Sequence, residues 1–178
     1  NKLFVVNRED NNVSVIDIEY LKEIKKIQVQ SAPFGVFSDK DSEYIFITNV
    51  QSNSVSLIRK GDMVLEKNIS VGSWPYQVVY NNKKEKAYVT NQRSNSISIL
   101  DLNSFKKEKD IEDICEYPEG IDISYTENLL VVACWFEDNI ILLDLDNLTI
   151  LKKIGVSGGP RAFGKFILKK EKWKDLVI

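Results

Sequence analysis

The chain has 178 residues, of which 43% are hydrophobic, and its 24 basic and 26 acidic side chains leave a formal net charge of −2. This balance offers no overall basic footprint for nucleic acid, and no apolar run approaches the ~18 residues of a membrane-spanning helix. Histidine is absent, which excludes Ser-His-Asp and Cys-His catalysis and most zinc chemistry within these residues. We therefore assign no catalytic residue, no cofactor and no metal ligand, and we expect neither nucleic acid nor a membrane span.

Taken in chain order, the sequence repeats one strand-like pattern four times. Each copy holds an apolar tetrad of the type Tyr88–Asn91, followed by a second apolar run. The tetrads end at Asn7, Asn49, Asn91 and Cys134, spaced by 42, 42 and 43 residues, and Pro33, Pro75, Pro118 and Pro160 are spaced by 42, 43 and 42. A strand repeat of about 40–45 residues predicts a β-propeller, in which four-stranded blades stack around an axis.

The final repeat shows what one blade contains. Residues 120–124 alternate apolar and polar side chains, as a half-buried strand does, and residues 129–134 form a nearly continuous apolar run. Residues 139–144 and 148–156 predict two further strands. We therefore expect an all-β propeller of four-stranded antiparallel blades, with repeats at about 1–33, 34–75, 76–118 and 119–167. Residues 168–178 are predicted as a C-terminal tail or the start of a further strand.

Small residues mark the turns and the axis. We interpret Asn7, Asn49 and Asn91 as turn formers that bond nearby backbone groups, and Asp17, Asp101 and Asp144 as doing the same at strand ends. Gly35 and Gly120 follow two of the prolines by two residues, where they would allow close backbone approach near the axis.

The tetrad Tyr88–Asn91 reads YVTN, and the chain resembles the YVTN-repeat family of β-propellers over residues 3–167. Residues 117–120 (YPEG), 135–139 (WFEDN) and 159–167 (GPRAFGKFI) resemble the last blades and the closing strand of bacterial members. The wider group includes the propellers of quinoprotein amine dehydrogenase, lactonase and haem d1 nitrite reductase. The resemblance implies the fold and an exported protein, whereas the functions within the group are diverse.

The number of blades in the working particle stays open at this level. Members of the family usually have about seven blades, and the chain begins with Asn1, without an initiator Met or signal peptide. We expect a C-terminal portion of a longer propeller. The alternatives are two chains sharing one eight-bladed ring, and a closed four-bladed monomer in which residues 161–167 complete the blade begun at Leu3. An open array would expose apolar blade faces and could self-associate through them.

The two cysteines could lie at one rim of the last blade. Cys115 precedes Pro118 by three residues, and Cys134 ends the tetrad strand of the same blade. Antiparallel pairing of residues 120–124 with 129–134 brings these ends together. A disulfide here would indicate an oxidising compartment, whereas the alternative is two buried thiols that pack as small hydrophobes.

Candidate binding residues lie on the loops that lead into the inner strands and on those that follow the tetrads, because both kinds of loop project from one face of a propeller. The residues after the four prolines, Phe34, Tyr76, Glu119 and Arg161, differ in chemistry, as expected where several blades build one site. The predicted ligand- or partner-binding residues on this face are Trp74, Tyr76, Arg93, Tyr117, Glu119, Trp135 and Arg161. In the alternative, the aromatics pack between blades with the arginines stacked on them.

These observations favour a non-enzymatic binding or scaffolding module of the bacterial periplasm or cell envelope, with an unknown protein or small molecule on the loop face. The alternative is an enzyme or enzyme subunit of the amine-dehydrogenase or lactonase propeller type, with a cofactor or substrate over the axis.

Overall fold

A computed structural model describes residues 1–168, and every regular element in that range is a β-strand. The strands are β1 (Lys2–Asn7), β2 (Asn12–Asp17), β3 (Lys22–Gln28), β4 (Pro33–Ser38), β5 (Tyr44–Asn49), β6 (Ser54–Arg59), β7 (Val64–Ser70), β8 (Pro75–Asn81), β9 (Lys86–Asn91), β10 (Ser96–Asp101), β11 (Lys106–Ile111), β12 (Pro118–Ser124), β13 (Leu129–Cys134), β14 (Asn139–Asp144) and β15 (Ile150–Gly155). Within residues 1–168 no helix is long and apolar enough to cross a membrane.

The strands form four antiparallel sheets in sequential order, which we call blades 1 to 4. Blade 1 has three strands, β1–β3, and blades 2, 3 and 4 have four each, β4–β7, β8–β11 and β12–β15. In blades 2 to 4 the first strand begins at a repeated proline, where the missing N–H interrupts no interior ladder bond. The tetrads lie in β1, β5, β9 and β13. The predicted all-β propeller architecture is thus confirmed, with blade 1 one strand short.

Aspartates at the ends of the third strands build the outer turns. The Asp101 carboxylate accepts hydrogen bonds from the backbone N–H groups of Asn103 (2.8 Å) and Ser104 (3.3 Å). Asp17 and Asp144 make the same pair of bonds in blades 1 and 4. The prediction for these three residues is confirmed. The last strand is shorter than predicted, because Leu148 adopts a left-handed conformation (φ 63°) inside the preceding turn.

The tetrad asparagines behave differently from the prediction. The Asn91 amide donates to the hydroxyls of Ser96 (3.1 Å) and Ser98 (2.8 Å) on the neighbouring strand, and Ser98 donates to Asp110 (2.5 Å) on the next. Asn49 with Ser56 and Asn68, and Asn7 with Ser14 and Glu23, repeat this polar relay. These asparagines therefore link three strands through side chains and do not form turns; Asn49 and Asn91 are fully buried, whereas Asn7 in blade 1 is half-buried.

The core is a series of apolar layers between successive blades. Val13 and Val15 of blade 1 pack with Ile45, Ile47 and Ile58 of blade 2, and all five are buried. Corresponding layers join blade 2 to blade 3 and blade 3 to blade 4. Each blade thus buries its two faces only against its neighbours in sequence, as in other stacked-repeat architectures.

The outer faces of the two terminal blades are more exposed than the equivalent internal faces. Leu3 and Val5 are 48% and 37% exposed, whereas their counterparts in blade 2, Ile45 and Ile47, are 1% and 0% exposed. On blade 4, Ile140 and Leu142 of β14 are only half-buried. The expectation of partly exposed apolar blade faces therefore fits the described residues.

Residues 161–168 form no strand, so the prediction of a closing strand over 161–167 is wrong for the described structure. This segment instead crosses the inner strands of blades 2 to 4. The Gln77 amide donates to the Ala162 carbonyl (3.0 Å), and the Asp122 carboxylate accepts from the N–H groups of Phe166 and Ile167 (both 2.9 Å). These contacts hold the segment against β8 and β12 and leave β1 without an inner neighbour. Apart from Leu168, the predicted tail lies outside the described residues.

Candidate functional site: the loop-face rim

The seven predicted residues lie on or beside the loops that enter the inner strands; we call this set the loop-face rim (Trp74, Tyr76, Arg93, Tyr117, Glu119, Trp135 and Arg161). The residue before each repeated proline has a left-handed backbone, and its N–H is held by one side chain of the loop that follows a tetrad. The pairs are Ala32 with Asn11 (2.8 Å), Trp74 with Asn53 (3.0 Å), Tyr117 with Asn95 (3.1 Å) and Gly159 with Asp138 (2.8 Å). This clamp fixes the rim loops of all four blades.

Sequence reasoning assigned no role to the clamp residues, although their spacing carries the signal. Asn11, Asn53, Asn95 and Asp138 recur at 42, 42 and 43 residues, as the tetrad ends do. Each also has a positive φ (49–54°), a conformation that Asn and Asp tolerate better than most residues. One side chain therefore both makes the tight turn and anchors the neighbouring loop.

The tetrad threonines position the residues that follow the prolines. Thr48 of blade 2 donates to the Tyr76 carbonyl of blade 3 (3.0 Å), and Thr90 of blade 3 donates to the Glu119 carbonyl of blade 4 (2.8 Å). Gly35 lies against this bridge, and a Cβ there would meet both the Tyr76 carbonyl and the Thr48 hydroxyl. Neighbouring blades are thereby locked together where the rim begins, as expected from the glycine position.

The first rim group is an arginine on a tryptophan. The Arg93 guanidinium carbon lies 3.5 Å from the centre of the Trp74 ring. Within residues 1–168 the guanidinium has no carboxylate or hydrogen-bond acceptor, and the residue is exposed. The stack restrains the charged group while leaving its N–H donors unused.

The second rim group is an aromatic cluster in blade 4. Tyr117 and Trp135 meet edge to face at 6.0 Å between ring centres, and Phe136 packs on both at 4.6 and 4.7 Å. The Arg161 guanidinium carbon lies 4.0 Å from the Trp135 ring centre, on a partly exposed side chain. An arginine again stacks on an indole, as the alternative expected, but these aromatics pack within one blade and not between blades.

Glu119 is the fully buried carboxylate beneath these groups. One oxygen accepts a hydrogen bond from the Gln92 amide (2.9 Å), and the other lies 3.3 Å from Arg161 Nε. The contact with Arg161 is close enough for an ion pair but does not have the geometry of a hydrogen bond. This oxygen of Glu119 is therefore buried without a hydrogen-bond partner. Burial raises the pKa of Glu119, and the positive charge of Arg161 and the Gln92 bond offset part of the rise.

Gln92 joins the two rim groups. Its backbone N–H donates to the Trp74 carbonyl (2.8 Å), while its side chain donates to Glu119. Sequence reasoning placed Gln92 on this loop and gave it no role. The structure therefore brings Trp74 and Arg93 into one connected network with Tyr117, Glu119, Trp135 and Arg161.

Tyr76 is the remaining rim residue and borders a groove. Its ring lies 4.4 Å from that of Phe34, between ring centres. Burial first, and then the charge of Glu119, raises the pKa of Tyr76, whereas Arg161 and Arg8 oppose the rise. Below it, the inner strands β4 and β8 enclose a groove of about 280 Å³, lined in part by Phe34, Phe37, Tyr76 and Phe163. The groove is mainly apolar.

A disulfide links Cys115 to Cys134, with Cα atoms 6.0 Å apart. The equivalent pair in blade 3 is Gly72 and Asn91, where the glycine lies against the asparagine amide. Blade 4 therefore carries a covalent link where blade 3 has the start of its polar relay, and Ile141 stands where Ser98 would be. The link ties the loop that bears Tyr117 to the strand end next to Trp135.

No family model and no curated protein sequence matches the chain. The structure is similar to Kuenenia stuttgartiensis hydrazine synthase, with 22% identity and a TM-score of 0.78 over 85% of this chain and 45% of that one. It is also similar to the dihydro-heme d1 dehydrogenase NirN in complex with DHE, with 12% identity and a TM-score of 0.72 over 88% of this chain and 36% of that one. The fold is a β-propeller related to theirs. The chain spans less than half the length of either.

Proposed function

We propose that the protein is a non-enzymatic β-propeller module that binds a small molecule or a partner protein at the loop-face rim. The observation that carries the proposal is the pair of arginine–tryptophan stacks, connected through Gln92 and Glu119. Rigid aromatic surface beside arginine donors is typical of binding surfaces.

The contrast between repeated and divergent positions supports this proposal. The clamp, the prolines and the interblade valines and isoleucines recur in every blade because each blade must pack in the same way. The residues after the prolines do not recur, although three of the four sit on the same kind of β-strand start. Positions that serve only packing tend to repeat from blade to blade, whereas positions that build one site from several blades differ.

The proposed location is the bacterial periplasm, cell envelope or exterior. The disulfide supports it, because such bonds persist in oxidising compartments and are rare in the cytosol. Both cysteines are buried and used in the bond, which is typical of a structural link.

The proposal is tested by a screen of chemically varied small molecules on the isotope-labelled chain, followed by nuclear magnetic resonance. We expect the indole N–H signals of Trp74 and Trp135, assigned through Trp→Phe variants, to move with the bound molecules. In Trp135→Ala, the remaining Trp74 indole signal should no longer move with the bound molecules, while the dispersed spectrum of the folded protein is retained. Binding that moves other surfaces and leaves both indoles unchanged would rule out the rim as the site.

A second candidate is a propeller that serves an enzyme, since both similar structures carry the names of enzymes. Among the residue types that ligate haem iron, the rim offers only the tyrosines Tyr76 and Tyr117, and we derive no step through a haem. Turnover of an amine or a lactone by the purified chain, abolished by a rim substitution, would favour this candidate over a binding module.

A further inference from the structure

We propose that the ligand of the loop-face rim carries a carboxylate or a similar oxyanion, attached to a small aromatic or apolar body. This inference rests on the proposed binding function and assigns the chemical class of its ligand. It follows from three rim groups with unused hydrogen-bond donors, the side chains of Arg93, Arg161 and Tyr76, and from the groove that Tyr76 lines.

Apart from one buried Glu119 oxygen that faces Arg161, the rim groups without a partner carry hydrogen-bond donors. The Arg93 guanidinium has no acceptor within residues 1–168, and neither do the terminal nitrogens of Arg161 or the Tyr76 hydroxyl. The Glu119 oxygens face Gln92 and Arg161. A ligand that satisfies this set must supply acceptors, and a guanidinium binds a carboxylate or phosphate through two parallel bonds.

The charge at the rim favours an anion in the same way. Glu119 offsets Arg161, whereas Arg93 has no acidic partner within residues 1–168. Arg8 meets only the exposed Glu9, at 3.6 Å. The rim therefore carries a net positive charge on a chain whose overall formal charge is −2.

The stacks make these donors pre-organised. Each guanidinium rests on an indole face, 3.5 Å from the ring centre for Arg93 and 4.0 Å for Arg161, so less side-chain freedom is lost when an anion binds. Arg59, which lies outside the rim, is an arginine in the opposite situation. It pairs with Asp62 and Glu66 at 3.0 and 2.9 Å, so two carboxylates offset its charge.

The apolar part of the ligand is assigned to the groove below Tyr76. Its aromatic walls are Phe34, Phe37, Tyr76 and Phe163, and its volume of about 280 Å³ lies near the lower end for small-molecule sites. Tyr76 belongs to both places, since it lines the groove and feels the charges of Arg161 and Arg8. Tyr76 thus connects the groove to Arg161, and the proposal places the ring of the ligand in the groove and its anionic end toward the arginines.

The test compares four probes that differ in one feature each: phenylacetate, its neutral amide phenylacetamide, the cation phenethylamine, and acetate, which lacks the ring. Titrations of the wild-type chain should give the tightest binding for phenylacetate, with the amide and acetate each roughly tenfold or more weaker. Arg93→Gln should weaken the affinity for phenylacetate by about ten- to a hundredfold. The affinity of Arg93→Lys should lie between those of the wild type and Arg93→Gln, because lysine keeps the charge and loses the planar fork.

Arg59→Gln is the matched control, because it removes the same charge far from the rim and should leave the affinity unchanged. Equal binding of phenylacetamide and phenylacetate at the rim indoles would overturn the assigned ligand class while leaving the binding module intact. An Arg93→Gln variant that binds phenylacetate as the wild type does would also overturn it. Failure of all four probes to move the rim signals would reject the inference, and the broader screen would then decide the proposed function separately.

Discussion

Removal of the Cys115–Cys134 disulfide should destabilise the protein by about 3 kcal/mol. The bond closes a loop with a sequence separation of 19, and loop-closure entropy for that length gives this magnitude at 25 °C. The perturbation is the double variant Cys115→Ala, Cys134→Ala. It also removes two buried sulfurs, so the reduced wild-type chain is the better measure of the cross-link alone.

The assay is equilibrium unfolding in urea, followed by tryptophan fluorescence and by circular dichroism, with and without a reductant. The oxidised wild type should unfold at the highest urea concentration, and the reduced wild type and the double variant should lie close together below it. A reductant should leave the double variant unaffected. If reduction lowers the stability of the wild type by less than about 1 kcal/mol, the loop-entropy reasoning is wrong for this blade.

Three further predictions concern the glycine at the axis, the polar relay and the buried carboxylate. Gly35→Ala should destabilise the protein by about 1–3 kcal/mol in urea unfolding, because the added Cβ would meet the Tyr76 carbonyl and the Thr48 hydroxyl. Gly61→Ala, which has open space around the added Cβ, should not destabilise it. Equal effects of the two substitutions would contradict the close approach at Gly35. Ser98→Ala should cost about 1–3 kcal/mol by removing one acceptor of the Asn91 amide and the hydroxyl that donates to Asp110, and Ser104→Ala on an exposed turn should be nearly neutral; a neutral Ser98→Ala would show that the relay does not stabilise the blade. Because folding raises the pKa of Glu119, the folded state binds the proton of this carboxyl before the unfolded state does as the pH falls. The free energy of unfolding of the wild type, relative to that of Glu119→Gln, should therefore increase as the pH is lowered from neutral to the ordinary carboxyl pKa. Unfolding curves at several pH values would check this, and a difference that stays constant with pH would refute the raised pKa.

The repeat made the fold predictable from the sequence. The spacing of the tetrads and prolines predicted four antiparallel units, and the strand ends at Asn91, Cys134 and Asp144 fall where the pattern placed them. Local chemistry was also sufficient for the aspartate turns, because those bonds reach only two or three residues along the chain.

One failure depended on contacts between distant residues. The path of residues 161–167 is set by hydrogen bonds to Asp122 and Gln77. Asp122 lies 44 residues before its partner Phe166, and Gln77 lies 85 residues before its partner Ala162. A sequence pattern cannot distinguish pairing with β1 from crossing over β8 and β12. The tetrad asparagines were misinterpreted for a different reason, because their amides donate to serine hydroxyls on the adjacent strand, only five and seven residues further along the chain, instead of forming a turn.

The candidate site was located in part. The divergent positions after the prolines drew attention to Tyr76, Glu119 and Arg161, which do share one face. The link from Gln92 to Glu119 crosses from blade 3 to blade 4, so finding it required the angle between these blades. Whether these residues bind a ligand stays a prediction for the titrations above.

Blade stacking has a consequence for how the molecule opens. Because each apolar layer joins only two consecutive blades, the described array behaves as a one-dimensional chain of coupled units, and its local opening should begin at the ends. Backbone amides of β1–β3 and of β14 and β15 should exchange with solvent first, and those of β5, β6, β9 and β10 last. The rim network from Trp74 to Glu119 joins blade 3 to the first strand of blade 4, across a single layer. Opening of blade 1 should therefore leave binding intact, whereas opening that proceeds through blade 4 should take Glu119 and Trp135 out of the rim and abolish binding.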